Sequence, residues 1–253
     1  MTLLAYRFAL DPTPAQERAL RSHAGAARVA FNWGLARVKA VLDQRAAEVT
    51  YGITGDALTP SMSWSLYSLR RDWNQAKVTV APWWSECSKE AFNTGLDALA
   101  RALRNWGDSR TGKRKGRRVG FPRFRSRRRT RPSIRWTTGA FRCEARYAVL
   151  PRIGRVRLHE DGARLVEVVA VGTARVMAVT VRFERGRWFA AFTVDTDVSR
   201  PAATAVGAPQ LPVVITYRSL HCVRTMPTDL LDKFVAARLG VTTVGAQPEL
   251  EGV

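Results

Sequence analysis

"LLAYRFALDPTPAQ", Leu3 to Gln16, decides how the rest of the chain is read. Its first eight residues predict a strand, because Tyr6, Phe8 and Leu10 recur with a period of two and share one face. Asp11 to Pro14 predict a turn; Thr13 can cap a following helix, and Pro14 suits its first position. A lone strand needs a sheet to join, and the next strand-like sequence comes about 125 residues later.

The interval reads as helices. Leu20, Ala24, Ala27, Phe31, Leu35, Val38 and Leu42 recur every three or four residues and form one apolar stripe. A loop around "YGITGDALTPS" ends it. A second helix is expected from near Ser63, with Trp64, Tyr67 and Trp73 available for packing, and "KVTVAPWW" predicts a break at Pro82. A third begins near Ser85 or Ser88 with the stripe Phe92, Leu96, Leu99, Leu103 and Trp106, and Gly107 is placed to stop it. Trp33, Trp73 and Trp106 are expected in the core; Trp83 and Trp84 sit at a loop-to-helix junction.

Past residue 132 the pattern changes to short strands: "SIRW", "FRCE", "YAVL", "RVRLH", "RLVEVVAV", "VMAVTVRFE" and "RWFAAFTVD". Glu184-Arg185-Gly186-Arg187 predicts a tight hairpin turn between the last two. The fold class is therefore α+β: a small antiparallel β-barrel, OB-like, with an α-helical bundle inserted after its first strand. Residues 1–12 and 108–198 would form the barrel and 13–107 the insert. Residues 199–253 are a tail of different composition, in which "LPVVITYRSL" suggests a strand and "TDLLDKFVAARLG" a short helix.

Between insert and strands lies "GKRKGRRVGFPRFRSRRRTR", Gly112 to Arg131. From Ser109 to Cys143 there are fourteen of the chain's 41 basic residues and none of its 21 acidic ones; the formal net charge of all 253 residues is +20. Salt screens the mutual repulsion beyond ~10 Å at 0.1 M, so the run is tolerated, but folding does not call for it. A polyphosphate backbone does, because each neutralised phosphate releases counterion. Arginine dominates, and its planar fork can grip phosphate and stack on bases. The candidate nucleic-acid-binding residues are Arg110, Lys113, Arg114, Lys115, Arg117, Arg118, Phe121, Arg123, Phe124, Arg125, Arg127, Arg128, Arg129, Arg131 and Arg135. Phe121 and Phe124 have two uses open to them, anchoring the loop to the sheet or stacking on unpaired bases. A solvated, disordered charge run is the plainer alternative for the whole segment.

Other classes recede. The hydrophobic fraction of 46% supports a core, and no run of about 18 apolar residues suggests a membrane span. The N-terminus lacks the pattern of a signal peptide, so the cytoplasm is the expected compartment. Cys87, Cys143 and Cys222 are scattered and form no C-x-x-C pair, which argues against disulfides and zinc; His23, His159 and His221 are scattered too. No basic amphipathic helix offers itself to an anionic membrane. The expected partner is nucleic acid.

The order of the pieces resembles a family. "YRFALDPTPAQERAL", "RVAFNWGLA", "AFNTGLDALARALRNW", "GFPRFRSRR", "LPRIGRVRLHE" and "GRWFAAFTVD" are similar to the N-terminal half of the TnpB (OrfB) proteins, over about residues 4–197. These are insertion-sequence transposases, compact relatives of type V CRISPR nucleases. The resemblance implies that the strands form a wedge barrel gripping guide RNA. It also implies that the insert is a recognition lobe facing the guide–target duplex, a region older descriptions call a helix-turn-helix. Guide RNA and target DNA are the implied partners.

The resemblance also implies what should follow: a RuvC-type nuclease whose first Asp lies in a Gly-Ile-Asp-Leu-Gly-like strand, then a Glu, a second Asp and a four-Cys zinc element. Here "PAATAVGAPQLPVVITYRS" starts suitably at Val206-Gly207, and no Asp follows in that strand. RuvC chemistry needs clustered carboxylates to hold two metal ions. Asp195 and Asp197 precede the expected site and read as strand-end caps; Asp229 and Asp232 share a helix face without partners. The expectation is a truncated or frameshifted relative that binds guide RNA, DNA or both without its own nuclease. It would hold no cofactor, Mg and Zn belonging to the missing C-terminal half. The alternatives are an active RNA-guided DNA endonuclease of a transposon and an unrelated basic RNA-binding structural protein. "ERALRSHAGAARVAFNWGLARVK" is too long and apolar for a helix-turn-helix regulator.

Overall fold

The computed structural model describes residues 2–196. Its first strand, β1 (Thr2–Asp11), finds its sheet at the far end of that span. It runs antiparallel to Arg187–Thr196 from Thr2↔Thr196 to Leu10↔Trp188. Tyr6, Phe8 and Leu10 fall on the same face as Phe192, Ala190 and Trp188, and that face is the core. The helices between are therefore an insertion into a sheet, as the opening stretch requires.

The remaining strands are β2 (Ser133–Trp136), β3 (Arg142–Glu144), β4 (Tyr147–Leu150), β5 (Gly154–Leu158), β6 (Ala174–Glu184) and β7 (Arg187–Thr196). The expected hairpin joins β6 to β7. Arg185 and Gly186 both have positive φ, 49° and 81°, the signature of a two-residue I′ turn whose twist matches its strands.

The sheet is antiparallel, in the order β2-β6-β7-β1-β5-β4-β3, and it is open. This corrects the closed barrel expected above. The edges, β2 and β3, are only four and three residues long. One expected strand is also missing, because "RLVEVVAV" is a helix, α4 (Ala163–Ala170). The Asp161 carboxylate accepts from Ala163 N–H at 2.9 Å, the Gly162 carbonyl accepts from Leu165 N–H at 3.0 Å, and Leu165 is buried. Tertiary packing of that one leucine outweighs the β preference of the valines around it.

The insert has three main helices: α1 (Pro14–Thr50), α2 (Leu66–Val80) and α3 (Lys89–Arg110). Thr13 and Gln16 form a reciprocal capping box at the start of α1, with Pro14 in the first turn. The predicted stripe is the buried one, with Ala24 and Leu42 half-buried at its margin. Three boundaries differ from expectation. Ser65 caps α2, and Leu69 and Trp73 are buried while Tyr67 is 76% exposed. "KVTV" is the last turn of α2, closed by Ala81 N–H on Lys77 O, so Pro82 lies beyond the helix rather than breaking it. Gly107 sits inside α3, its carbonyl accepting from Thr111 N–H at 3.0 Å.

Gly95 allows α1 and α3 to approach. A Cβ there would lie 2.0 Å from the Ala27 carbonyl oxygen. Helices and sheet share one apolar core, and polar contacts lock the joint between them. Buried Glu90 accepts from Thr137 N–H (3.2 Å), Thr137 Oγ1 (2.9 Å), Thr138 Oγ1 (3.1 Å) and Asn93 Nδ2 (3.0 Å). Burial alone would raise its pKa, and these four hydrogen bonds hold it below the usual value instead. Thr94 Oγ1 bonds both the N–H and the carbonyl of Arg135.

Cys87 and Cys143 are free thiols. No helix among the described residues is long and apolar enough to cross a membrane. Asp197, Val206, Gly207, His221, Cys222, Asp229, Asp232 and the tail's expected strand and helix lie outside the described residues.

Candidate nucleic-acid interface

The basic segment has no regular structure from 111 to 132, yet it is pinned at several points. Ser109 Oγ accepts from Val119 N–H at 2.9 Å. Phe121 packs edge-on against Trp106, ring centroids 5.0 Å apart, and Trp106 in turn meets Trp64 at 6.2 Å. Phe121 is thus an anchor, but onto α3 rather than onto the sheet.

Four residues on, Asn32 of α1 clamps Arg125. Asn32 Nδ2 donates to the Arg125 carbonyl at 2.9 Å, and Arg125 N–H donates to Asn32 Oδ1 at 2.8 Å. The Arg125 guanidinium lies 3.8 Å from the centroid of buried Phe31. Burial, with the nearby charge of Arg101 adding to it, lowers its pKa from the ordinary arginine value. Ser126 then builds a single turn: its Oγ accepts from Arg129 N–H at 3.2 Å and its carbonyl from Thr130 N–H at 3.1 Å. Arg127, Arg128 and Arg129 are exposed on that turn.

These contacts sort the candidate residues. Lys113, Arg114, Lys115, Arg117, Arg118, Arg123, Arg127, Arg128, Arg129 and Arg131 are all exposed, and their side chains make no ion pair among the described residues. Arg110 lies over Trp106 at 5.1 Å, and Arg135 is half-buried in β2. Phe124, unlike Phe121, is 56% exposed. Elsewhere cations meet carboxylates: Arg7–Glu184 at 2.8 Å, Arg21–Glu17 and Arg101–Asp97 at 2.6 Å, and Arg142 and Arg155 on Glu144 at 3.1 and 2.7 Å. Such exposed pairs are worth only about 0–1 kcal/mol each, so the contrast shows where charge is left available rather than where stability lies.

Asn32 and Thr94 escaped the sequence reading, and Phe31 was read only as part of the apolar stripe, not as the seat of Arg125. Nothing in the sequence ties residue 32 to residue 125; Phe31 and Thr94 look like ordinary helix positions until the fold brings Arg125 over the first and β2 beside the second.

A helix-turn-helix domain model of OrfB proteins, HTH_OrfB_IS605, matches residues 1–46. In this chain those residues form β1 and most of one unbroken helix, α1. Two Mycobacterium tuberculosis proteins, MT2953 of strain CDC 1551 and Rv2885c of strain H37Rv, are each 39% identical over 214 residues. Escherichia coli K12 InsQ is 27% identical over 209 residues. All three bear the name "Putative RNA-guided DNA endonuclease", and each match covers 81% of this chain and 44% of the relative. The chain is a relative of the TnpB (OrfB) family. The matched part of this TnpB relative spans less than half the length of the curated proteins it matches. Among its described residues no three His, Cys, Asp or Glu side chains are grouped to hold a metal ion. Asp195 is part of β7, opposite Leu3 and Arg175.

Proposed function

We propose that the pinned basic segment binds the phosphate backbone of nucleic acid, with guide RNA and target DNA as its partners. The observation that carries this is the set of ten exposed, unpaired cations on a segment held by Phe121, Arg125 and Ser126. A solvated charge run needs no such pins. The names of the relatives and the family resemblance support the same reading. The reading assigns binding to this chain and no cleavage step.

The test is a salt titration of the 253-residue protein on a labelled RNA oligonucleotide. Changing Arg127, Arg128 and Arg129 together to alanine should flatten the log–log salt slope by about 2–3 units, at roughly 0.7–0.9 per phosphate contact. Arg125→Ala should leave that slope nearly unchanged while lowering stability, because its charge is spent on Phe31. An unchanged slope in the triple variant would move the interface elsewhere. Metal-dependent cleavage of DNA by the purified chain with guide RNA would replace the binding-only reading with that of an endonuclease.

A further inference from the structure

We propose that Phe124 is a stacking platform for one unpaired base, so that the segment takes a single-stranded or looped nucleic acid in preference to a continuous duplex. This rests on nucleic-acid binding by the same segment. Of the phenylalanines among the described residues, Phe124 alone is exposed. Its neighbour Phe121 shows that the segment can bury a ring when packing is what the ring is for.

The backbone that carries the exposed ring is also held in place. On one side Pro122 restricts the backbone and Phe121 is seated on Trp106. On the other, Arg125 is fixed through its N–H, its carbonyl and its guanidinium. A ring on a backbone already in position has only its own side-chain freedom to lose when a partner arrives, which favours stacking.

Charge selects the partner. Phe124 stands between Arg123 and the Arg127–Arg129 turn, and no acidic residue occurs from Ser109 to Cys143. An apolar protein surface would gain nothing from those cations, whereas a polyanion that carries flat aromatic faces uses both. Within a duplex each base face is already covered by its neighbours, so a protein ring can cover a face only where a base is unpaired or splayed.

The experiment compares the 253-residue chain and its variants on a labelled single-stranded RNA and on a fully paired duplex of equal length. Phe124→Ala should weaken single-strand binding by about 5- to 150-fold, the range for one lost base–aromatic stack, with the salt slope unchanged and duplex affinity intact. Phe124→Trp should restore it and Phe124→Leu should not. Equal losses on both ligands, no loss on either, or rescue by leucine would each overturn the platform. If the unmodified protein binds with a steep salt slope and Phe124→Ala binds as well, only the stacking fails; if the unmodified protein binds neither ligand, the interface itself fails.

Discussion

Asn32 and Arg125, 93 residues apart, hold each other through both ends of one side-chain amide, at 2.9 and 2.8 Å. The amide therefore ties helix α1 to the middle of the basic segment. Removing it leaves a half-buried backbone N–H and carbonyl without partners.

Asn32→Ala should lower stability by about 1–3 kcal/mol, read as a lower urea midpoint. RNA affinity should also fall with an unchanged salt slope, because every cation remains and only its placement is lost. Asn32→Asp keeps the acceptor for Arg125 N–H and loses the donor to its carbonyl, so it should fall between the two. RNA affinity that ignores Asn32→Ala would mean that the clamp has no part in binding.

Gly95 and Gly107 lie in the same helix and should answer alanine with opposite signs. At Gly95 the new methyl meets the Ala27 carbonyl oxygen at 2.0 Å, so α1 and α3 must move apart. The cost should be about 1–3 kcal/mol or more. At Gly107 the methyl meets nothing, and a helix-interior alanine should stabilise by about 0.5–1 kcal/mol. Calorimetric melting temperatures should move down for the first and up for the second.

His23 makes the joint between α1 and the start of α3 sensitive to acid. It is buried, its Nδ1 is 2.8 Å from Ala19 O and its Nε2 accepts from Ser88 N–H at 3.1 Å. That arrangement requires the neutral ring with the proton on Nδ1. Burial lowers its pKa from 6.5; the Ala19 hydrogen bond opposes this and the Arg152 charge adds to it. The unfolded chain takes up this proton as pH falls through about 6.5, and the folded chain does so only lower. The contribution is thus complete above 6.5 and declines as pH drops from there toward the folded value. Chemical denaturation of the unmodified protein at pH 7.5 and 5.5 should show this loss. His23→Gln should be less stable at pH 7.5 and should lose less between the two pH values.

Much of this was legible in local sequence. Thr13, Pro14 and Gln16 announce the start of α1; the Leu20–Leu42 stripe announces its buried face; Arg185-Gly186 announces the hairpin. What was not legible depends on partners far along the chain. The valines of 163–171 carry a strand's composition, and only the seat found by Leu165 makes them a helix. Gly107 has the usual chemistry of a helix stop, but nothing obliges the helix to end there. Within the basic segment, composition gave the charge but could not separate Phe121 from Phe124, or Arg125 from Arg127. Trp106, Phe31 and Asn32 make those distinctions, and they arrive from other elements.

The pairing of β1 with β7 has a consequence for synthesis. On the ribosome, β1 emerges first and its principal partner, residues 187–196, emerges last of the described residues. Until then only Leu10 and Asp11 have an earlier strand to meet, at Leu158 and Arg157. At about 5–20 residues per second, the nascent chain carries Tyr6 and Phe8 without their sheet for roughly 10–40 s. The capped helices can form during that wait, so chaperone demand should concentrate on the first ten residues and be relieved only as β7 clears the exit tunnel.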